Sequence, residues 1–548
     1  MKEEIKKIIE KAVGQKGLNF SVEIPDSPEH GDYSTNVALI LAKEVGKNPR
    51  EVAEEIKSKI SGNKLFEKVE VAGPGFINFF ISKKAVLEKI KKINKNFGKN
   101  SDLKNKKILI DYTDPNILKD FHIGHLMSNV VGESLSRIFE FNGAKVKRLC
   151  YQSDVGIGIA KAVWGKLNNK NLRWQEAYAF GSQKFDEEGN AKREITELNK
   201  KIYEKSDAKI NKLYEQGKKE SLKSFDKLYK KLGTMFDYFI LESQVAENGK
   251  KIVLSNLGKV FEKGTNGAII FKGENFGLHT RVFINSEGLP TYEAKDLALA
   301  ELKYKKYKYD QSFIVTGNEV NEYFKVMLSA MSQINPKLAE MTKHIGHGMM
   351  RLPEGKMSSR TGKVVTGESL LHDLEEMVSE KIKEKKLSAS ERKKIAEFVA
   401  VAAIRYSVLK QSVESNIVYD VNKSISFEGD SGPYLQYSYT RAVSVLKKAK
   451  QEKIKQSFSR VSEGISQLEK TMINFPDVVL KACKDYEPHF ISMYLTELAS
   501  EFNAYYAKNT IVDKKDKNSP YRVALTSAFS QIMKNGMWLL GINTLEKM

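Results

Sequence analysis

Apolar residues recur along this chain in three regimes, and each predicts a different architecture. From residue 1 to about 85, short alternating runs are parted by turn residues. Gly31-Asp32-Tyr33 reads as a turn, Pro49 stands where a helix opens, and Gly73-Pro74-Gly75 separates two alternating strands. That is the pattern of a small α/β module. From about 100 to 385, strand-like and helix-like patterns alternate, which predicts a doubly wound α/β sheet with its ligand at the carboxyl ends of the strands. Inside it, roughly 168–241 is a charged helical insertion ending in FDKLYKKLGTMFDYFILES, whose aromatics at helical spacing suit packing better than base stacking. From 386 to 548 the pattern is helical throughout, with AEFVAVAAIRYSVLKQ, EPHFISMYLTELASEFNAYYAK and RVALTSAFSQIMKNGMWLLGI as apolar-faced helices. Between Ser82 and Lys107, ten lysines face only Glu88 and Asp102, the composition of a solvated linker helix.

The densest chemistry falls on one junction. Lys107 to Tyr112 reads as a short buried strand, Pro115 and Asn116 break it, and Leu126, Val130, Leu135 and Ile138 then recur at helical spacing until Gly143. His122 and His125 therefore sit at a strand-to-helix turn, where free backbone N–H groups and the positive end of the helix dipole favour an anion. Two histidines three apart on a helix are by themselves more often a half-buried pair or a metal edge; the turn is what points to a phosphate. Gly124 between them lets a base or a phosphate approach the backbone, and donors placed there could stabilise charge on a phosphoryl group.

Charge and cysteine content narrow the partners. The 548 residues carry a net charge of +21 with a pI near 9.4, which favours association with a polyanion such as RNA over a small metabolite. No apolar run approaches the ~20 residues of a membrane span, and MKEEIKKIIEK lacks a signal-peptide core, so a soluble cytoplasmic protein is expected. Cys150 and Cys483 are too few for a disulfide framework or a Cys-rich metal site and read as buried small hydrophobes; no tightly bound metal is expected.

The stretch DYTDPNILKDFHIGH, from Asp111 to His125, resembles the first signature of the class I aminoacyl-tRNA synthetases. Far downstream, Lys356-Met357-Ser358-Ser359-Arg360 resembles the KMSKS loop of the same enzymes, a Lys-Ser-Arg run suited to holding phosphate oxygens. Ser359 stands where a second lysine is usual, and Lys119, three residues before His122, is the candidate to supply that charge. This coupling resembles the arginyl-tRNA synthetase family specifically. GDYSTN and GPGFINF near the N-terminus resemble that family's tRNA-corner-binding domain, and FEGDSGPYLQYSYTRAVSV its helical anticodon-binding bundle, with Tyr434, Gln436, Tyr437 and Arg441 as candidate tRNA contacts.

What the resemblance implies is a Rossmann-like catalytic domain that joins L-arginine to tRNA(Arg), with ATP and its Mg²⁺ as substrate and a monomeric enzyme. His122, Gly124, His125 and the 356–360 run would bind ATP; Lys119, His122, His125 and Lys356 would act on its phosphates. A guanidinium is always charged and asks for carboxylates in fixed planar geometry. Tyr292 and Asp296, four apart in TYEAKDLA, resemble the family's guanidinium-binding pair, Asp111 the carboxylate that completes the site, and Asn116 the ligand of the α-amino group. Val320 stands where a glutamine is usual, with Asn321 as a neighbouring substitute, and YQSDVGIGIA replaces a stretch that is commonly GDWGTQFG. Another class I specificity, or a tRNA-binding paralogue with impaired catalysis, is the alternative.

Overall fold

The computed structural model describes residues 1–25, 27–187, 189–353, 366–459 and 464–548. The Lys356–Arg360 run thus lies outside the described residues. At the centre is a five-stranded sheet in the order Thr342–His347, Gln311–Gly317, Lys107–Tyr112, Lys145–Gln152, Tyr238–Leu241, every neighbouring pair parallel. Chain order from strand 107–112 runs outward in one direction through 145–152 and 238–241, then in the other through 311–317 and 342–347. The reversal between strands 107–112 and 311–317 is a topological switch point, where open α/β sheets bind ligands. Strand 107–112 is central, and Ile108, Leu109 and Ile110 are buried on both faces, as a continuous apolar run requires.

The long helix Ile123–Phe141 follows the central strand and buries Leu126, Val130, Leu135 and Ile138 as their spacing predicts. The insertion folds as helices Trp174–Asp186, Asn190–Glu204 and Ala208–Leu232, with Tyr214, Phe225 and Tyr229 buried. Its expected end at 241 is too late: Tyr238–Leu241 pairs with Lys145–Gln152 as an edge strand of the catalytic sheet. The alternating strand–helix reading also missed a small antiparallel sheet, Glu262–Lys263, Ile269–Phe271 and Arg281–Ile284, which delivers the chain to helix Tyr292–Lys306.

The N-terminal module is a four-stranded antiparallel sheet, 22–23, 33–35, 76–81 and 66–72 in that order, under helices Val37–Val45 and Pro49–Ile60. Gly31 takes φ +85° with Phe79 O only 2.7 Å from where a Cβ would sit, so the turn admits no other residue comfortably. The lysine-rich linker is less solvated than its composition suggests. Helix Lys83–Ile90 buries Val86 and Ile90, and Lys83 pairs with Glu469 at 2.7 Å. Lys470 pairs with Asp32 at 2.6 Å and Tyr33 donates to Asn474 at 2.7 Å, fastening the N-terminal module to the C-terminal helices.

Those helices include Ala389–Leu409, Gly432–Gln451, Phe475–Asp485, His489–Lys508 and Ser519–Leu539. One element there is extended: Ile417–Val418 pairs in parallel with Met350–Arg351 of the catalytic region. Among the described residues, no helix is long and apolar enough to cross a membrane.

Candidate active site

A cavity of about 370 Å³ opens at the carboxyl ends of the sheet strands, at the switch point. Asp111, Thr113, Asp114 and Asn116 reach it from the central strand and its turn, Tyr151 and Ser153 from one neighbour, and Thr316 and Gly317 from the other. The turn itself is strained: Thr113, Asp114 and Leu118 have φ of +85°, +43° and +64°. Left-handed backbone in non-glycine residues costs of order 1 kcal/mol or more each and persists where surrounding contacts over-determine it. Here Thr113 N–H donates to Ser128 Oγ at 2.9 Å, and Tyr151 N–H to Asp114 Oδ1 at 2.8 Å.

His122 is the N-cap of helix Ile123–Phe141 and His125 its third residue. His125 N–H donates to His122 Nδ1 at 3.4 Å and His122 N–H to His125 Nδ1 at 3.3 Å, a reciprocal capping box. Burial lowers the pKa of both rings, with the Lys119 charge adding at each and His122 itself adding at His125, where the effect is larger. A neutral ring whose Nδ1 accepts a backbone N–H carries its proton on Nε2. Both histidines therefore offer Nε2–H as a donor beside the first free amides of the helix. His122, Gly124 and His125 all line the cavity.

The same cavity is rich in carboxylates. Asp111, Asp114, Glu242, Asp296 and Glu319 line the cavity, and no lysine or arginine does so among the described residues. Two of these carboxylates have internal cations: Glu242 pairs with Lys295 at 2.7 Å, and Asp111 Oδ2 pairs with Lys303, all four side chains being buried. Asp111 Oδ1 is buried with no partner. The resemblance assigned Asp111 to the substrate guanidinium, but Lys303 already offsets its charge. Asp114, deep in the turn, has its carboxyl pushed well up, by burial first and by the neighbouring Asp111 second. Asp296 is pushed up to about 7 by burial, against the pull of a hydrogen bond from Tyr323 Oη at 2.5 Å. Tyr292 stands at the mouth, 54% exposed, with Lys295 Nζ 4.3 Å from its ring centroid.

Val320 lines the cavity as expected, but Asn321 does not replace the missing polar group: its Oδ1 lies against Gly346, 2.2 Å from the position a Cβ would take there. Tyr323, one helical turn after Val320, also lines the cavity and donates to Asp296 Oδ2 at 2.5 Å. Asp154 of the YQSDVGIGIA stretch is fully buried away from this cavity, receiving Tyr214 Oη at 2.8 Å, Lys218 Nζ at 3.0 Å and the Ser243 backbone and hydroxyl at 2.8 Å each. Its work is to tie the insertion to the sheet.

Both ends of the stretch that carries Lys356 return to the cavity. His347 and Met349 line it just before, and Thr366 bridges His122 just after, with Gly367 N–H donating to Phe121 O at 2.7 Å. Lys119 is not on the cavity wall; its ammonium lies over the ring of Tyr178, 4.1 Å from the centroid.

In the C-terminal bundle, Gln436 is fully buried and donates to the carbonyls of Phe398 and Asn543, so it is a packing residue and is closed to an RNA base in this conformation. Arg441 stacks over Tyr437 and Tyr506, at 4.8 and 5.2 Å from their centroids, and bonds Asn503 Oδ1 at 2.5 Å; Tyr434 Oη accepts from the same Asn503 side chain at 3.0 Å.

Three family models match this chain: the arginyl tRNA synthetase N terminal domain over residues 1–81, the class I tRNA synthetase (R) catalytic domain over 87–421, and the DALR anticodon binding domain over 435–548. The arginine–tRNA ligase of Clostridium acetobutylicum is 32% identical over 570 aligned residues, covering 100% of this chain and 99% of its own. That of Fusobacterium nucleatum is 30% identical, covering 96% and 95%. The solved Thermus thermophilus arginyl-tRNA synthetase has the same fold, with a TM-score of 0.78 at 20% identity over 100% of both chains. With the catalytic model alone spanning more than half of the 548 residues, and a cavity built at the switch point of its sheet, this chain belongs to the arginyl-tRNA synthetase family of class I tRNA synthetases.

Proposed function

We propose that the switch-point cavity activates L-arginine with ATP and that the arginyl group then passes to the 3′-terminal adenosine of tRNA(Arg). The observation that carries this reading is the make-up of one cavity: a paired-histidine helix start and five carboxylates share its wall. Asp296, held by Tyr323, faces the guanidinium together with Tyr292. Asn116 and the unpartnered Asp111 Oδ1 accept from the α-ammonium group.

A carboxylate oxygen of arginine attacks the α-phosphorus of ATP, the bond to the β-phosphate bridge breaks, and pyrophosphate leaves. The ribose hydroxyl of the tRNA then attacks the adenylate carbonyl and AMP leaves. No side-chain nucleophile is needed; positioning and charge stabilisation do the catalysis. His122 and His125 donate Nε2–H toward the α-phosphoryl oxygens, while Lys119 and Lys356 take charge on the departing pyrophosphate. Met357, Ser358, Ser359 and Arg360 continue that phosphate contact. Mg²⁺ enters as part of the ATP substrate.

The basic surface and the Tyr434, Tyr437 and Arg441 cluster suit a tRNA anticodon arm, and the chain acts as a cytoplasmic monomer. ATP–pyrophosphate exchange tests the reading: exchange should require arginine and, by family habit, tRNA as well. Exchange supported equally by another amino acid would contradict the assignment of the pocket.

A further inference from the structure

The helical insertion grips the turn before His122 on two sides. Leu118 N–H donates to Ser221 Oγ and Asp120 N–H to Gln175 Oε1, both at 3.0 Å. The Leu118 side chain fills the space over Gly217, where a Cβ would meet it at 2.5 Å. Helices Trp174–Asp186 and Ala208–Leu232 thus hold residues 118–120, and Lys119 lies between those two backbone contacts.

Its ammonium is berthed between two closely packed helices. Gly165 would place a Cβ 2.1 Å from Ala177 O, and Gly181 would place one 2.1 Å from Lys161 O. Helices Ile157–Asn168 and Trp174–Asp186 therefore lie backbone against backbone, without intervening side chains. Gly158 from the first and Tyr178 from the second flank Lys119: the Cβ position of Gly158 is 3.4 Å from Nζ, and the Tyr178 centroid is 4.1 Å from it. Among the described residues, the contact is an aromatic face and a phenol, not a carboxylate. Burial alone would raise the Tyr178 hydroxyl, yet Ser182 and the Lys119 ammonium bring it below its ordinary value.

A carboxylate partner would neutralise Lys119, whereas a ring face holds a cation weakly and leaves its charge whole for a stronger anion. We propose that Tyr178 is a positioning residue for Lys119, a berth on the insertion that keeps the ammonium uncompensated beside the His122 turn until the ATP phosphates draw it in. This rests on the reading of Lys119 as a phosphate-binding group, and it gives the insertion a part in amino-acid activation.

The test is a double-mutant cycle on the full-length enzyme, using tRNA-supported ATP–pyrophosphate exchange with melting temperatures read alongside. Tyr178→Leu should lower kcat about fivefold, with the KM for arginine unchanged, while Tyr178→Phe, which keeps the ring, stays within about twofold of wild type. In a Lys119→Ala background, Tyr178→Leu should have no further effect, because the group it positions is gone. Losses that multiply in the double variant, or a Tyr178→Leu enzyme with normal kcat beside an impaired Lys119→Ala enzyme, would overturn the berth while sparing the role of Lys119. An unimpaired Lys119→Ala enzyme would remove both.

Discussion

The ring of His122 stacks on that of His125 with centroids 3.4 Å apart and 25° between planes, each accepting the other's backbone N–H. The pair closes the helix start, and in the function proposed above the same bonds would serve both stability and catalysis. His125→Asn should lower kcat for activation by about 10²-fold, the usual scale for losing one preorganised donor to a developing oxyanion. Single-turnover adenylate formation would show this with the KM for ATP nearly unchanged.

Asp296 gives the site a pH signature. Its carboxyl is pushed up to about 7 because burial disfavours the charged form, and in the proposed function the arginine guanidinium would bind only that charged form. The KM for arginine should therefore rise about tenfold per pH unit below about 7 and flatten above it. Stability runs the other way: a carboxyl raised on folding stabilises the protein at low pH, and that contribution is lost as pH rises through about 7. Asp296→Asn should abolish arginine-dependent turnover, remove the pH dependence of arginine binding and raise the melting temperature of the free enzyme at pH 8.

Lys303 and Asp111 form a buried ion pair behind the pocket floor. Removing one member of such a pair typically costs about 3–5 kcal/mol because the other is left charged and unpaired. Lys303→Met should unfold at markedly lower urea concentration, and adding Asp111→Asn should restore much of the loss. The double variant is predicted to stay impaired in arginine binding, because it lacks the carboxylate that we propose accepts from the substrate α-ammonium group.

What the sequence revealed was local. Strand 107–112, the turn at Pro115-Asn116 and the helix bearing both histidines follow each other within a few residues, and their periodicity and turn chemistry suffice to place them. The reciprocal cap also lay within that window, although a histidine at an N-cap has no common signature. What stayed hidden joins distant segments. Lys303 meets Asp111, Tyr323 meets Asp296 and Lys295 meets Glu242 only after the sheet has formed, and nothing in the residues around Lys303 marks it as more than a helix-surface lysine. Gln436 was misleading for the converse reason: a glutamine among aromatics looks like a base reader, yet it satisfies two carbonyls in the bundle core. Strand 238–241 was absorbed into the insertion because only five residues separate its four from a long helical pattern, too short a break to mark a boundary.

The most direct measurement of the central claim is charging of unfractionated tRNA by the purified protein, with each standard amino acid supplied singly alongside ATP and Mg²⁺. The account predicts acid-precipitable, alkali-labile aminoacyl-tRNA with arginine and background counts with the other nineteen. Charging with a different amino acid, or none with arginine from a folded protein, would contradict it.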